Sequence, residues 1–398
     1  MSTQFATAIK KGDESFEIGR AAAQEAHSKL GGGRVDLCLV FGSLSYDLHQ
    51  VLRSIRSVIG EKAQILGASS CGEFTEDVVG EGSIAVGLLR SDEYRFQVRA
   101  ASGLRQDVIQ VITRIHEEFG DFLQLEGQTS IIMTADGLAG NGEEATLGAS
   151  ALFGVDTTIV GGTAGDELAF QETVVIANDQ VLTDAVSVCV VKGPHSLFAG
   201  VQHGHEPLSE TLEATRAEGS VLYTVNGRKA WEVWKEEARE RAMAIGIDVD
   251  HLADPSEEGI FLIRFELGLE TDAGYKIRVP LSRNEDGSLN FACTIPEGIK
   301  FRVMQSKKPA QVRSARRAAE LAMEAAGGQE IAGALVFDCV CRSIILGKQF
   351  SNAVAAMKEV IGDVPLLGFE TYGEICMDPL QFSGFHNTTS VAVLIPAA

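Results

Sequence analysis

DLCLVFGSLSYD at 36–47, QILGASSCGEF at 64–74 and SIAVGLL at 83–89 decide the fold, because the same pieces return in the same order near the other end of the chain. There they read AGALVFDCVCRS (332–343), PLLGFETYGEI (365–375) and SVAVLI (390–395). Leu39-Val40-Phe41 aligns with Leu335-Val336-Phe337, Gly67 with Gly368, and Gly72-Glu73 with Gly373-Glu374. A weaker third copy lies between the two: SIIMTADG (130–137), TIVGGTAGDE (158–167) and AVSVCVV (185–191). In it Gly161 and Gly165-Asp166 stand where Gly67 and Gly72-Glu73 do, with one residue fewer between the glycines.

Each copy reads as a buried β-branched strand, a turn, an amphipathic helix, a second strand, a Gly-acid loop and a further strand. Leu48, Val51, Leu52, Ile55 and Ile59 form one helical stripe, and Phe350, Val354, Met357 and Ile361 another, both at the spacing of a helix laid on a sheet. The same rule predicts helices over 108–119 and 312–326. The region 195–310 differs, with alternating runs at TLEATRAEGS, GIFLIRFELG, YKIRVPLS, SLNFACTI and KFRVMQ, all read as strands. It also holds a helix over 228–244 whose Trp231 and Trp234 share a face and read as core packing. IDVDHLADPSEEG (247–259), acidic and carrying Pro and Gly, reads as a surface loop. The expectation is an α/β protein with mixed sheets built from repeated strand-helix-strand units. Two domains, 1–210 and 211–398, are expected around a more β-rich middle region.

The 398 residues carry 34 basic and 55 acidic side chains, a net charge of −21. That excess argues against a nucleic-acid partner, whose phosphates are neutralised by Lys and Arg. Seven cysteines stand at 38, 71, 189, 293, 339, 341 and 376, without CxxC pairing, which argues against a disulfide framework or a structural zinc. No signal-peptide core follows the first lysines and no run approaches membrane-spanning length, so a cytoplasmic protein without membrane insertion is expected. ADGLAGNGEE is glycine-rich but has neither the GK[ST] ending of a P-loop nor the GxGxxG order of a dinucleotide fingerprint.

Loops at the carboxyl ends of strands converge where open α/β sheets bind ligands, which makes GASSCGE, GGTAGDE and GFETYGE the candidate site. Glu73, Asp166 and Glu374 either meet a ligand there or close turns. Cys71 precedes a glycine where backbone N–H groups could activate a thiolate. Cys339 and Cys341 stand at a strand end just before Arg342, whose planar fork suits a carboxylate. Buried packing is the alternative for each thiol. In FAGVQHGHEPL, His203 and His205 lie two apart on one strand face. One neutral imidazole at an apolar wall suffices as a haem axial ligand, and an interface histidine pair is the alternative.

The set LVFGSLSYD, ILGASSCGE, TADG through VGGTAGDELAF, HGHEPL, ATRAEGSVLYTVNGRKAWEVW, LVFDCVCRSIILG, LLGFETYGEI and NTTSVAVLI spans about 35 to 396. Together these pieces resemble the FIST family of prokaryotic sensory proteins, with an N-terminal and a C-terminal FIST domain. The resemblance implies ligand sensing in signal transduction rather than catalysis, and no catalytic residue. It is similar to stand-alone members that are haem-containing nitric-oxide sensors in two-component regulation. No kinase, cyclase or DNA-binding segment is evident, so the resemblance implies a histidine kinase or cyclic-dinucleotide enzyme acting in trans as partner. Carried over by position, Gly72, Glu73, Gly165, Asp166, Arg342, Gly373 and Glu374 are pocket candidates, joined by Cys71 and Cys339. His203 and His205 are the axial candidates for haem, although at His205 the family more usually has an aromatic or basic residue. The alternatives are an amino-acid or small-carboxylate sensor using Arg342 with Glu73, Glu374 or Asp166, and an enzyme with Cys71 or Cys341 as nucleophile.

Overall fold

A computed structural model describes residues 3–252, 254–272, 274–377 and 383–397. The first unit runs β1 (Gln4–Lys10), α1 (Ser15–Lys29), β2 (Leu37–Gly42), α2 (Leu48–Ile59), β3 (Gln64–Ser69), β4 (Glu73–Thr75), β5 (Val79–Gly80) and β6 (Ile84–Arg90). The second repeats this order: β7 (Arg95–Ser102), α3 (Val108–Phe119), β8 (Gln128–Ala135), α4 (Gly142–Phe153), β9 (Thr158–Thr163), β10 (Val175–Ala177), β11 (Gln180–Leu182) and β12 (Ala185–Gly193).

The third opens with β13 (Phe198–His203) and is then interrupted by an insertion. This contains β14 (His205–Pro207), β15 (Leu212–Glu218), β16 (Val221–Val225), β17 (Arg228–Lys229), α5 (Ala230–Ala244) and α6 (Pro255–Arg264). It continues through β18 (Leu267–Thr271), β19 (Gly274–Arg278), β20 (Pro280–Arg283), β21 (Leu289–Phe291) and β22 (Lys300–Ser306). The third unit resumes with α7 (Lys308–Ala326), β23 (Ile331–Cys339), α8 (Val340–Leu346), α9 (Phe350–Ile361), β24 (Leu366–Thr371), β25 (Glu374–Met377), β26 (Phe385–His386) and β27 (Thr389–Pro396).

Local chemistry sets these boundaries. The Asp47 carboxylate accepts the backbone N–H groups of His49 (3.0 Å) and Gln50 (3.2 Å), capping α2, which stops at Gly60. Its stripe from Leu48 to Ile59 is buried against the sheet, as the spacing requires. Asp107 caps α3 in the same way through Gln110. Two expectations fail in the insertion. GIFLIRFELG is not one strand: α6 runs through Arg264, and only from Leu267 does the chain extend. The loop expected over 247–259 likewise gives way at Pro255. Asp254 accepts Ser256 N (2.9 Å) and Glu257 N (3.1 Å), and proline preorganises the first turn, so the helix starts there.

The three units build three six-stranded sheets on one plan: β1-β6-β2-β3-β10-β11, β7-β12-β8-β9-β25-β26 and β13-β27-β23-β24-β4-β5. In each, one central pair is parallel, β2 with β3, β8 with β9 and β23 with β24, because a helix crosses between them. The last two strands of each sheet come from another unit. The second lends β10 to β3, the third lends β25 to β9, and the first lends β4 to β24. The exchange is cyclic and ties the chain's two ends together.

Helices cover the outer faces, and the inner faces of all three sheets share one core containing Phe41, Ile132, Val160, Leu335, Phe337 and Phe369. Phe41 of the first unit stacks on Phe369 of the third at 4.1 Å. The insertion has its own sheet and its own core around Trp231, Trp234, Phe261 and Phe301. There the indole N–H of Trp234 donates to the Phe265 carbonyl at 2.7 Å. Among the described residues no helix is long and apolar enough to cross a membrane.

Candidate functional site

The loops that follow β3, β9 and β24 meet at one end of the shared core and bind one another in a ring. Cys71 N donates to Glu370 O (3.0 Å), Gly165 N to Ser69 O (3.0 Å), and Tyr372 N to Thr163 O (3.2 Å). GASSCGE, GGTAGDE and GFETYGE are thus brought together, as the strand-end argument expects.

Beside this ring the first and third units part around a cavity of about 820 Å³. Its origin is visible in chain length. β2 passes to α2 through a short turn and β8 to α4 likewise, whereas between β23 and α9 the third unit inserts α8. Val340, Ser343, Ile344 and Phe350 from this region form one wall. Val79, Glu81 and Gly82 around β5, with Lys11, form another. Cys71, Glu370 and the pair Glu167 and Leu168 lie at the ring end, and Lys348 lies on the exposed side.

Glu370 is the chemically distinctive wall. Burial pushes its carboxyl up to about 8, reinforced by the charges of Asp338, Glu81 and Glu73 and opposed by the Ser343 hydroxyl, which donates to Oε2 at 2.6 Å. It stands at the register position held by Ser69 and Thr163 in the other units. That substitution of an acid for a hydroxyl is readable in the aligned repeats, but only once all three copies are in register. Lys11, Ser343 and Lys348 carry no comparable sequence signal.

The acids of the Gly-acid loops face inward instead. Glu73 accepts the Ser70 and Ser83 hydroxyls and Ser83 N, and burial pushes it up to about 7. Glu374 accepts the hydroxyls of Thr371 (2.6 Å) and Thr389 (2.8 Å) and Thr389 N (3.0 Å), and burial pushes it up to about 8. Asp166 accepts the backbone N–H groups of Phe170 (3.0 Å), Gln171 (2.7 Å) and Glu172 (3.1 Å) together with the Tyr372 hydroxyl. Asp166 thus closes a local turn, while Glu73 and Glu374 tie their loops to the start of the following long strand through Ser83 and Thr389. Gly72 lets the loop approach Glu370, where an added methyl would sit 3.1 Å from its carboxyl carbon. Gly165 admits the Cys71 sulfur in the same way, and the Gly373 carbonyl accepts Thr163 N at 2.8 Å.

Arg342 lies away from the cavity wall. Its fully buried guanidinium donates to Asp338 (2.7 Å), to the Ser314 hydroxyl (2.7 Å), and to the Gln311 side chain and carbonyl (3.0 Å to the latter). With its fork spent on joining α7 to β23, it is not available to clamp a ligand carboxylate bidentately. Cys339 and Cys341 pack with Cys71, Val279 and Val340 in a buried cluster. Burial pushes the Cys71 thiol up to about 12 and the Cys339 thiol upward as well, the opposite of activation.

His203 and His205 sit at the seam between the third unit and the insertion. His203 Nδ1 accepts His205 N at 3.2 Å. Burial lowers His203 to about 4 and His205 well below the ordinary histidine range, so both rings are neutral at pH 7. His205 Nε2 is 3.7 Å from Glu266 Oε1, which accepts the Thr388 hydroxyl at 2.7 Å. Neither imidazole lines the cavity. Among the described residues no three His, Cys, Asp or Glu side chains are grouped to hold a metal ion.

A model of the FIST N domain matches residues 36–228 and a model of the FIST C domain matches residues 230–377. An uncharacterized protein of Mycobacterium tuberculosis is 27% identical over 230 residues, covering 55% of this chain and 56% of that protein. One of Methanocaldococcus jannaschii is 26% identical over 255 residues, covering 60% of this chain and 48% of that protein. The chain therefore spans about half the length of the curated relatives it matches. Among solved structures, cyanuric acid hydrolase from A. caulinodans aligns with a TM-score of 0.29 and 10% identity over 49% of this chain and 72% of that one. A second cyanuric acid hydrolase aligns over 100% of both chains with a TM-score of 0.33 and 7% identity. At those scores neither bears on function.

Proposed function

The chain belongs to the FIST family, and from that premise we propose that it is a sensory signal-transduction protein whose small-molecule ligand occupies the cavity between the first and third units. The observation that carries the reading is Glu370: a buried carboxyl with a raised pKa on the wall of the cavity, beside the ring where all three units meet. A neutral Glu370 can donate a hydrogen bond to a carbonyl or carboxylate oxygen. Lys348 and Lys11 supply positive charge at the same cavity, and Glu81 and Glu167 negative charge. The ligand class these groups fit best is a small carboxylate or zwitterion, with Glu370 and the lysines in the roles that sequence assigned to Arg342 and the Gly-acid residues. Occupancy would shift the relative population of unit arrangements, to be read by a kinase or cyclic-dinucleotide enzyme in trans.

Haem does not fit these residues. Among the described residues this cavity has no histidine on its wall, and the two candidate imidazoles lie elsewhere, where the insertion meets the third unit, with the His205 ring fully buried. A cysteine-nucleophile enzyme is likewise disfavoured by the raised Cys71 thiol.

The test is a thermal-shift and calorimetric panel of amino acids and small carboxylates, with haem and nitric oxide followed by absorption in parallel. Native-state binding raises the melting temperature. Lys348→Ala is expected to weaken binding of a carboxylate found in the panel about tenfold, the order of one charge-assisted contact. A carboxylate ligand should bind more weakly as pH rises through about 8, where Glu370 ionises, and Glu370→Gln should remove that dependence. A sharp Soret band lost in His203→Ala or His205→Ala, or a panel hit indifferent to Lys348 and Glu370, would overturn the reading.

A further inference from the structure

Between Gly165 and β10 the second unit carries a segment without counterpart in the other two, where β4 and β25 begin directly after the glycine. This segment, residues 166–173, crosses the Cys71 end of the cavity. Glu167 and Leu168 form part of the cavity wall together with Cys71, which is left 6% exposed. Gly82 of the first unit faces the Glu167 side chain from the opposite wall.

The segment is held in an intrinsically poor conformation. Glu167, Leu168 and Phe170 have φ of 56°, 65° and 51°, in the left-handed region that side chains other than glycine avoid. Thr173 anchors the far end, its hydroxyl donating to Asp136 at 2.5 Å and accepting Gly137 N at 3.0 Å, while the strained residues before it are restrained chiefly by two side chains. The Asp166 carboxylate gathers the N–H groups of Phe170, Gln171 and Glu172. Tyr372, lent by the third unit, donates its hydroxyl to Asp166 and accepts Leu168 N at 3.0 Å. Its ring stacks against Phe170 at 5.2 Å with planes 9° apart, although Phe170 remains 59% exposed.

We propose that residues 166–173 are a strap latched by Tyr372 and Asp166, whose release opens the Cys71–Glu370 end of the cavity and at the same time displaces the exposed Phe170 ring. The strap gives the proposed ligand site both an entrance and an outward signal, and in that purpose it rests on the ligand reading above. Strain concentrated in a segment that few side chains restrain is what a bistable element requires. A ligand touching Glu167 or Leu168 would bias it, and a partner contacting Phe170 would sense it.

The experiment needs no ligand, because Cys71 reports the opening. The intact protein is treated with N-ethylmaleimide, and labelling of each of the seven cysteines is followed by mass spectrometry, alongside amide hydrogen exchange over 166–173. Wild type is compared with Tyr372→Phe, which removes the latch hydroxyl. It is also compared with Phe170→Ala, which removes an exposed ring and separates strap release from a change in the thiol's own surroundings. Both variants are expected to label Cys71 roughly tenfold faster and to exchange the backbone amides of residues 170–172 faster, with the other six cysteines unchanged. Unchanged exchange over 166–173 in Tyr372→Phe, or acceleration at all seven cysteines together, overturns the strap. A blank ligand panel with a responding strap removes the ligand reading alone, and a ligand hit with an unresponsive strap removes the strap alone.

Discussion

Buried carboxyls and imidazoles give this molecule opposite pH limbs, and each can be traced to single residues. Glu73, Glu370 and Glu374 have folded-state values of about 7, 8 and 8 against 4.5 when free, so the folded state binds more protons between those limits. Their contribution to stability is whole below about pH 4.5 and is lost as pH rises toward 8. His203 runs the other way: with a folded value of about 4 against 6.5, its contribution is whole above about pH 6.5 and lost as pH falls toward 4. Between about pH 4.5 and 6.5 three carboxyl contributions fall while that of His203 rises, so on these four groups stability is expected to be greatest near pH 4.5 to 5 and to decline through neutrality. In Glu374→Gln the alkaline decline should be shallower by up to about 1.4 kcal/mol per pH unit. Melting curves of wild type and variant from pH 4 to 9 check both limbs, and parallel curves would refute the assignment.

At the scale of the element, close approach decides what the strands can carry. Gly67, Gly161 and Gly368 occupy one register position in the three units, opposite Val40, Met133 and Val336. A methyl at Gly67 would fall inside the contact shell of the Val40 carbonyl oxygen, and one at Gly161 inside that of Met133, whereas at Gly368 it would strike the Phe74 ring. Gly67→Ala is therefore expected to cost about 3 kcal/mol, the upper end for overpacking, since a strand carbonyl cannot step aside as a side chain can. Denaturant unfolding measures this directly, and a loss under about 1 kcal/mol would mean that β2 and β3 can separate. Elements with periodic stripes and side-chain caps, α2 and α3 above all, follow from sequence because their signals are local. α6 did not, because an apolar run of that length fits strand or helix equally, and the Asp254–Pro255 start had to arbitrate.

The molecule as a whole is closed by the cyclic strand exchange. The N-terminal module contributes β4 to a sheet of the third unit, and β9 depends on β25. Residues 1–228 and 229–398 expressed apart are each expected to lack cooperative unfolding, and to recover it, with one co-eluting species, when expressed together. Independent folding of both would contradict the topology. The insertion is the reverse case. It enters and leaves through the paired residues His205 and Ser306, has its own core, and supplies none of the cavity wall. Because Arg278 of the insertion also donates to Glu143 and Val279 packs against Cys71, replacing 206–305 by a short Gly-Ser turn is expected to lower the melting temperature while leaving the cavity wall in place, and loss of the ligand response in a variant that still folds would tie the insertion to binding.

Sequence by itself determined the repeat, the α/β class, the amphipathic helices and the family, because each rests on local periodicity or on order along the chain. It also placed the three Gly-acid loops at strand ends, where they do meet. Which side chains line the cavity was a tertiary decision. Glu73, Asp166, Glu374 and Arg342 found partners within the protein, since a polar group that becomes buried must be satisfied by whatever the fold brings near it. Glu370 drew its raised pKa from burial and from carboxylates of two units, and Cys71 came to rest beneath a segment of the second unit and a tyrosine of the third. Those neighbours are distant along the chain, and only the exchange of strands among three sheets brings them together.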